Sequence, residues 1–140
     1  MEGAWDEAAD TAALKEAAFE AQVAEEQPSP ELFESMYRET ASGEAIDGLR
    51  AQNMVTDAST GEHVLDETAY YRDLQAALIE AQPIDMAAVQ ALGEARAEAV
   101  RAYMVDTAGV DSGRVRVVEA VAVEPGDADW VRCRLDVDTL

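Results

Sequence analysis

The order of apolar and polar positions predicts a chain of helices that changes to strands toward its two ends. From Asp10 to about Gln27 alanine dominates, and Leu14, Ala18 and Ala21 recur at helical spacing behind Asp10, which is placed to cap the helix. Gln27-Pro28-Ser29-Pro30 breaks that pattern. Ser29 then caps a second helix with Pro30 at its first position, where a fixed φ fits and a missing N–H costs nothing. Leu32, Phe33, Met36 and Tyr37 give this helix one apolar side, and Gly43 is expected to end it. A short helix around Glu44–Gln52 offers Ile46 and Leu49, and residues 54–65 read as an exposed loop.

Asp66 caps the next helix, which turns Tyr70, Leu74, Ala77 and Leu78 inward and ends near Gln82-Pro83. Asp85 caps the last one, expected to run to about Ala108, where Gly109 stops it. The period then becomes two. Arg114-Val115-Arg116-Val117 and the segment Val131 to Val137 alternate as strands, with a turn at 124–129 between them. Two strands make a marginal sheet, so a further strand is expected, and Gly3-Ala4-Trp5 is the best candidate. The fold class is α+β, with four main helices packed on a small mixed sheet in one domain, 1–140.

Apolar residues make up 49% of the chain but aromatics only 6%, so the core is expected to be thin, with helices approaching closely. Thirty acidic against ten basic residues give a formal charge of −20, which argues against a nucleic acid or an anionic membrane face as partner. The charge is uneven. Residues 1–83 carry 19 acids and 4 bases, residues 84–140 carry 11 and 6, and the second part is the expected scaffold. No apolar run approaches the roughly 18 residues of a membrane span, and no basic stretch followed by an apolar one marks a signal peptide; no direct membrane insertion is expected.

Cys133 stands alone, which excludes an internal disulfide, and its alternation with Val131, Leu135 and Val137 suggests a buried strand position. His63 has no second histidine or cysteine beside it, so it reads as a loop residue rather than a metal ligand. Glu124, Asp127 and Asp129 lack the glycine and terminal glutamate of a calcium loop and read as a turn. Trp5 and Trp130 are expected at the core rim, and Arg114, Arg116, Arg132 and Arg134 as an outward row pairing across strands. No nucleophile elbow and no phosphate loop is present, no cofactor is implied, and an enzyme is the least expected class.

Arg96 is the exception to this pattern. Val89, Leu92, Val100 and Tyr103 fall on one helical stripe, and Arg96 projects from its centre. A guanidinium there must snorkel out, pair with a carboxylate or meet an anionic ligand. Its planar fork suits bidentate capture of a carboxylate.

Leu92, Arg96, Ala97, Val100, Tyr103 and Met104, then Gly109-Val110, Arg114-Val115 and the closing WVRCRLDVD, resemble the OmpA-like domain of bacterial envelopes, with its LSxxRAxxVxxYL helix. That helix follows a strand ending in GxxD, which Gly3-Ala4-Trp5-Asp6 matches before a helical insertion at about 28–83. Nearly the whole chain is similar to the C-terminal portion of a large AsmA-like envelope family of unknown function. Glu2, Gly3, Asp6, Asp10, Ala13 and Leu14 match that family's opening motif, and Pro83-Ile84 begins its final segment. The resemblance implies an excised piece of an inner-membrane-anchored parent facing the periplasm, with a structural or docking role and another envelope protein as partner. It also implies, by the OmpA-like pattern, that Asp6 and Arg96 would grip a wall-peptide carboxylate and amine of peptidoglycan, or else form a structural ion pair. Trp5, Gly93 and Val89 depart from the threonine, serine and asparagine of that pattern. The remaining expectation is a free-standing acidic interaction protein, cytoplasmic if the chain is complete as given.

Overall fold

The structure, a computed structural model, describes residues 1–124, 131 and 133–136. The expected turn residues Asp127 and Asp129, together with Trp130, Arg132 and Val137, lie outside the described residues. The fold is α+β. Its elements are β1 (Glu2–Trp5), α1 (Glu7–Val23), α2 (Pro30–Thr40), α3 (Gly43–Gln52), β2 (Met54–Thr56), β3 (His63–Leu65), α4 (Glu67–Glu80), α5 (Met86–Ala102) and β4 (Val118–Ala122). They form two compact units: Met1–Leu14 with Ile84–Leu140, and Lys15–Pro83. The second unit takes in the later part of α1.

In the first unit β1 pairs parallel with β4, in the register Glu2–Val118, Ala4–Val121 and Trp5–Ala122, with a bulge between Glu2 and Ala4. On the other side Glu2 exchanges two backbone hydrogen bonds with Arg134, at 2.9 and 3.0 Å, as an antiparallel bridge. The expected N-terminal strand is therefore present and lies between two neighbours. Helix α5 packs on β1 and β4. A Cβ on Gly3 would drive into the carbonyl oxygen of Gly93 and sit 3.2 Å from the Ala97 Cβ, so helix and strand meet almost backbone to backbone. Val89, Gly93 and Ala97 are the buried face of α5. The stripe expected inward is divided: Val89 is buried, but Val100 and Tyr103 are exposed at 42% and 63%. Small side chains win this contact because they let the backbones approach.

The C-terminal strands differ from expectation. Residues 114–117 do not form a strand; a short 3-10 turn occupies Ser112–Arg114, and β4 begins at Val118. Helix α5 ends in a wide π turn, Tyr103–Thr107, and the left-handed Gly109 (φ 71°) then stops the helical run as expected.

The second unit is built around larger side chains. Phe19, Phe33, Tyr70, Leu74 and Leu78 are buried together, with Leu32, Met36, Tyr37, Leu49 and Leu65 packed against them. Phe33 meets Phe19 edge-on at 5.3 Å and stacks on Tyr71 at 4.9 Å. The caps follow the sequence: Ser29 Oγ accepts from Leu32 N–H, and Asp66 Oδ1 from Ala69 N–H. Gly43 does not end α2; Ala41 closes that helix and Gly43 opens α3. Residues 54–65 are not a loop throughout. β2 and β3 form an antiparallel hairpin closed by Asp57, whose Oδ1 accepts from the Ser59 and Thr60 N–H groups.

Candidate functional site

Asp6 and Asp10 hold roles exchanged from those the sequence suggested. Helix α1 begins at Glu7, so Asp6 is its N-cap, and its Oδ1 accepts from the Ala9 N–H at 2.9 Å. Asp10, one turn in, reaches back, and its Oδ2 accepts from the Asp6 N–H at 2.9 Å. The two carboxylates thus satisfy donors that a bare helix start would leave open.

Arg96 meets Asp10, not Asp6. Nη1 donates to Asp10 Oδ2 at 2.8 Å and Nη2 to Asp10 Oδ1 at 2.6 Å, a bidentate fork, while Nη1 also lies 3.4 Å from the Ala4 carbonyl. An Asp6–Arg96 ion pair is therefore not what forms. The backbone N–H of Asp6 shares the carboxylate that Arg96 grips, so both residues touch the same acceptor. Asp10 is almost fully enclosed, with 4% of its side chain exposed, whereas 32% of the Arg96 side chain reaches solvent. The hydrogen bonds from Arg96, helped by the Asp6 N–H, outweigh desolvation and lower the Asp10 pKa. The same hydrogen bonds raise that of Arg96 above the ordinary guanidinium range.

The fork fixes what the guanidinium can still do. Two of its N–H groups are spent on Asp10 and a third points at a β1 carbonyl. An incoming carboxylate must use the remaining donors or displace an enclosed aspartate. The open groove nearest the outer face of α5 is lined by Glu94, Glu98 and Glu119, which repel anions.

A second polar cluster, which the sequence did not suggest, lies in the other unit. Glu34 accepts from the Tyr70 hydroxyl at 2.6 Å and from Arg50 at 2.5 Å, and Arg38 stands 3.4 Å away. Arg50 also covers the Tyr70 ring at 5.9 Å. The Tyr70 hydrogen bond is the largest single cause that lowers the Glu34 pKa, followed by the hydrogen bond from Arg50. This cluster ties α2, α3 and α4 together.

The other candidates are dispersed. His63 is exposed on β3, with Nδ1 3.5 Å from the Thr56 hydroxyl. Cys133 is partly buried, Trp5 is buried, and Arg134 pairs with Asp136 of its own segment rather than across strands. Among the described residues no three His, Cys, Asp or Glu side chains converge as a metal site, and no helix is long and apolar enough to cross a membrane. No family model matches the chain, and neither a curated protein nor a solved structure matches it.

Proposed function

We propose that this chain is a non-enzymatic docking module of the bacterial envelope, the C-terminal part of an AsmA-like protein facing the periplasm, in which Arg96 holds the fold and not a ligand. The bidentate fork on Asp10 carries this reading, because it fills the carboxylate-shaped side of the guanidinium from within. The two halves of the resemblance, Gly3 to Asp10 and Leu92 to Met104, also meet: Gly3 lies against Gly93, and Asp10 against Arg96. A binding role for peptidoglycan is the second reading, favoured by the third of Arg96 that stays exposed.

A muropeptide titration followed through amide chemical shifts separates the two. The docking reading expects no shift around Asp6, Asp10 and Arg96 at millimolar ligand, together with a loss of stability in Arg96→Ala without any ligand. Saturable shifts confined to those residues would replace it with the wall-binding reading. The compartment is read separately, from alkaline phosphatase fused after the chain in its native reading frame. Phosphatase activity is expected, and an inactive fusion that is nonetheless produced would remove the periplasmic assignment.

A further inference from the structure

The β2–β3 hairpin carries a surface that neither the Arg96 fork nor the aromatic core uses. Met54 lies opposite Leu65, Val55 opposite Val64, and Thr56 opposite His63. The flanking bonds run from Asp66 N–H to the Asn53 carbonyl and from Asp57 N–H to the Glu62 carbonyl, both 2.8 Å. Antiparallel pairs alternate between bonded and unbonded, so Val55–Val64 is a bonded pair, and Met54, Thr56, His63 and Leu65 turn their backbone groups to the outer edges. Side chains alternate as well. Leu65 packs toward the aromatic core, which places Val55 and Val64 on the opposite face. Those valines are exposed at 45% and 39%. An exposed apolar pair between open edges is a template for strand addition.

Charge selects the strand that would be added. Residues 15–83 hold 15 acids and 4 bases, and Lys15, Arg38, Arg50 and Arg72 each already have a carboxylate partner. Asp57 and Glu62, joined by the bond from the Asp57 N–H to the Glu62 carbonyl, stand two positions beyond the valine pair, and strand alternation carried through that bond sets them on the valine side. A second copy would set these carboxylates against their own counterparts. We infer that the hairpin is a docking edge for an extended segment of another protein, in which a lysine or arginine stands two residues from an aliphatic side chain. The aliphatic group covers Val55 or Val64, the cation reaches Asp57 or Glu62, and the partner's backbone bonds one outer edge. The inference concerns residues 15–83 alone and does not rest on the envelope reading.

The test uses a short peptide with a Lys-Thr-Val-Thr-Lys centre against the full chain. Saturable amide shifts are expected at Met54 and Thr56, or at His63 and Leu65. They should be lost with a Glu-Thr-Val-Thr-Glu centre and with methylation of alternate peptide nitrogens, and weakened by salt that cuts screening from ~10 Å to ~3 Å. Replacing Val55 and Val64 together by serine should weaken binding about tenfold, the scale of one buried valine. Glu62→Gln should weaken it less. If the serine variant fails to fold, the methylated peptide on the unaltered chain still decides. Three results would overturn the proposal: no hairpin shifts at millimolar peptide, equal binding of the methylated peptide, or a dimer of the chain itself that the serine variant dissolves.

Discussion

The first unit is held by small residues and the largely enclosed Arg96–Asp10 pair, the second by large side chains, and the two depend on sequence differently. Around Gly3, Gly93 and Ala97 the contact works because almost nothing projects from the backbone. Stability there is a matter of fit and of the Arg96–Asp10 fork. Around Phe33 and Leu74, which are 1% and 0% exposed, stability is a matter of filled volume. A glycine can be irreplaceable in the first unit, whereas in the second the size of each buried side chain matters most.

The strongest break in the comparison is Phe33→Ala, expected to cost about 4 kcal/mol by emptying the centre of the aromatic core. Hydrogen exchange should show lost protection in α2 and α4 while β1 and α5 keep theirs. Equal loss in both units would mean a single cooperative block. Gly3→Ala should cost about 3 kcal/mol through overpacking against the Gly93 carbonyl, with the loss located in β1 and α5. Gly93→Ala should be milder, since its added Cβ would meet neighbours at 3.1–3.2 Å.

Asp10→Asn leaves Arg96 without its counter-charge. A fully buried pair broken this way costs about 3–5 kcal/mol, but the solvent reach of Arg96 reduces the expectation to about 2 kcal/mol by denaturant unfolding. Joint replacement by Asp10→Leu and Arg96→Met should recover much of that, because neither charge is then stranded. Tyr70→Phe removes one hydrogen bond to a Glu34 that keeps Arg50, and should cost about 1 kcal/mol.

The smallest effect is in acid. The folded Asp10 carboxyl lies below its ordinary 3.8, so the unfolded chain takes up the proton first. Its contribution is present above about 3.8 and is lost as pH falls toward the folded value. Relief of the −20 charge acts the opposite way over the same range. The difference between the parent chain and Asp10→Asn isolates the aspartate: the gap between their stability curves should narrow as pH falls below about 4. A gap that stayed constant would remove the ion pair as its source.

The sequence made the helices readable where a cap and an apolar side coincide, as at Ser29-Pro30, Asp66 and Asp85. It made Gly3-Ala4-Trp5 readable as a strand because two alternating segments needed a companion. Asp6 and Asp10 were harder to assign. Both are good caps, and choosing between them needs the position of Arg96, 86 residues beyond Asp10. The spacing of one turn between the two acids was the available signal. The hairpin was hidden because strands of three residues are too short for alternation to show. The inward face of α5 misled because hydrophobicity marks Val100 and Tyr103, while packing on β1 rewards the absence of a side chain. The Glu34 cluster left only the one-turn spacing of Glu34 and Arg38 as a local trace, since Arg50 and Tyr70 come from other helices.

The Asp10–Arg96 fork joins chain segments that leave the ribosome far apart in time. Residues 15–83 are contiguous and find their core partners within their own span, but β1 gains its parallel neighbour only when Val118–Ala122 have been made. During synthesis β1 waits for β4, and Asp10 waits for Arg96. A pause in translation before residue 96 would therefore leave one finished unit attached to an unpaired strand, the state in which a chaperone or a stray strand would find this protein most receptive.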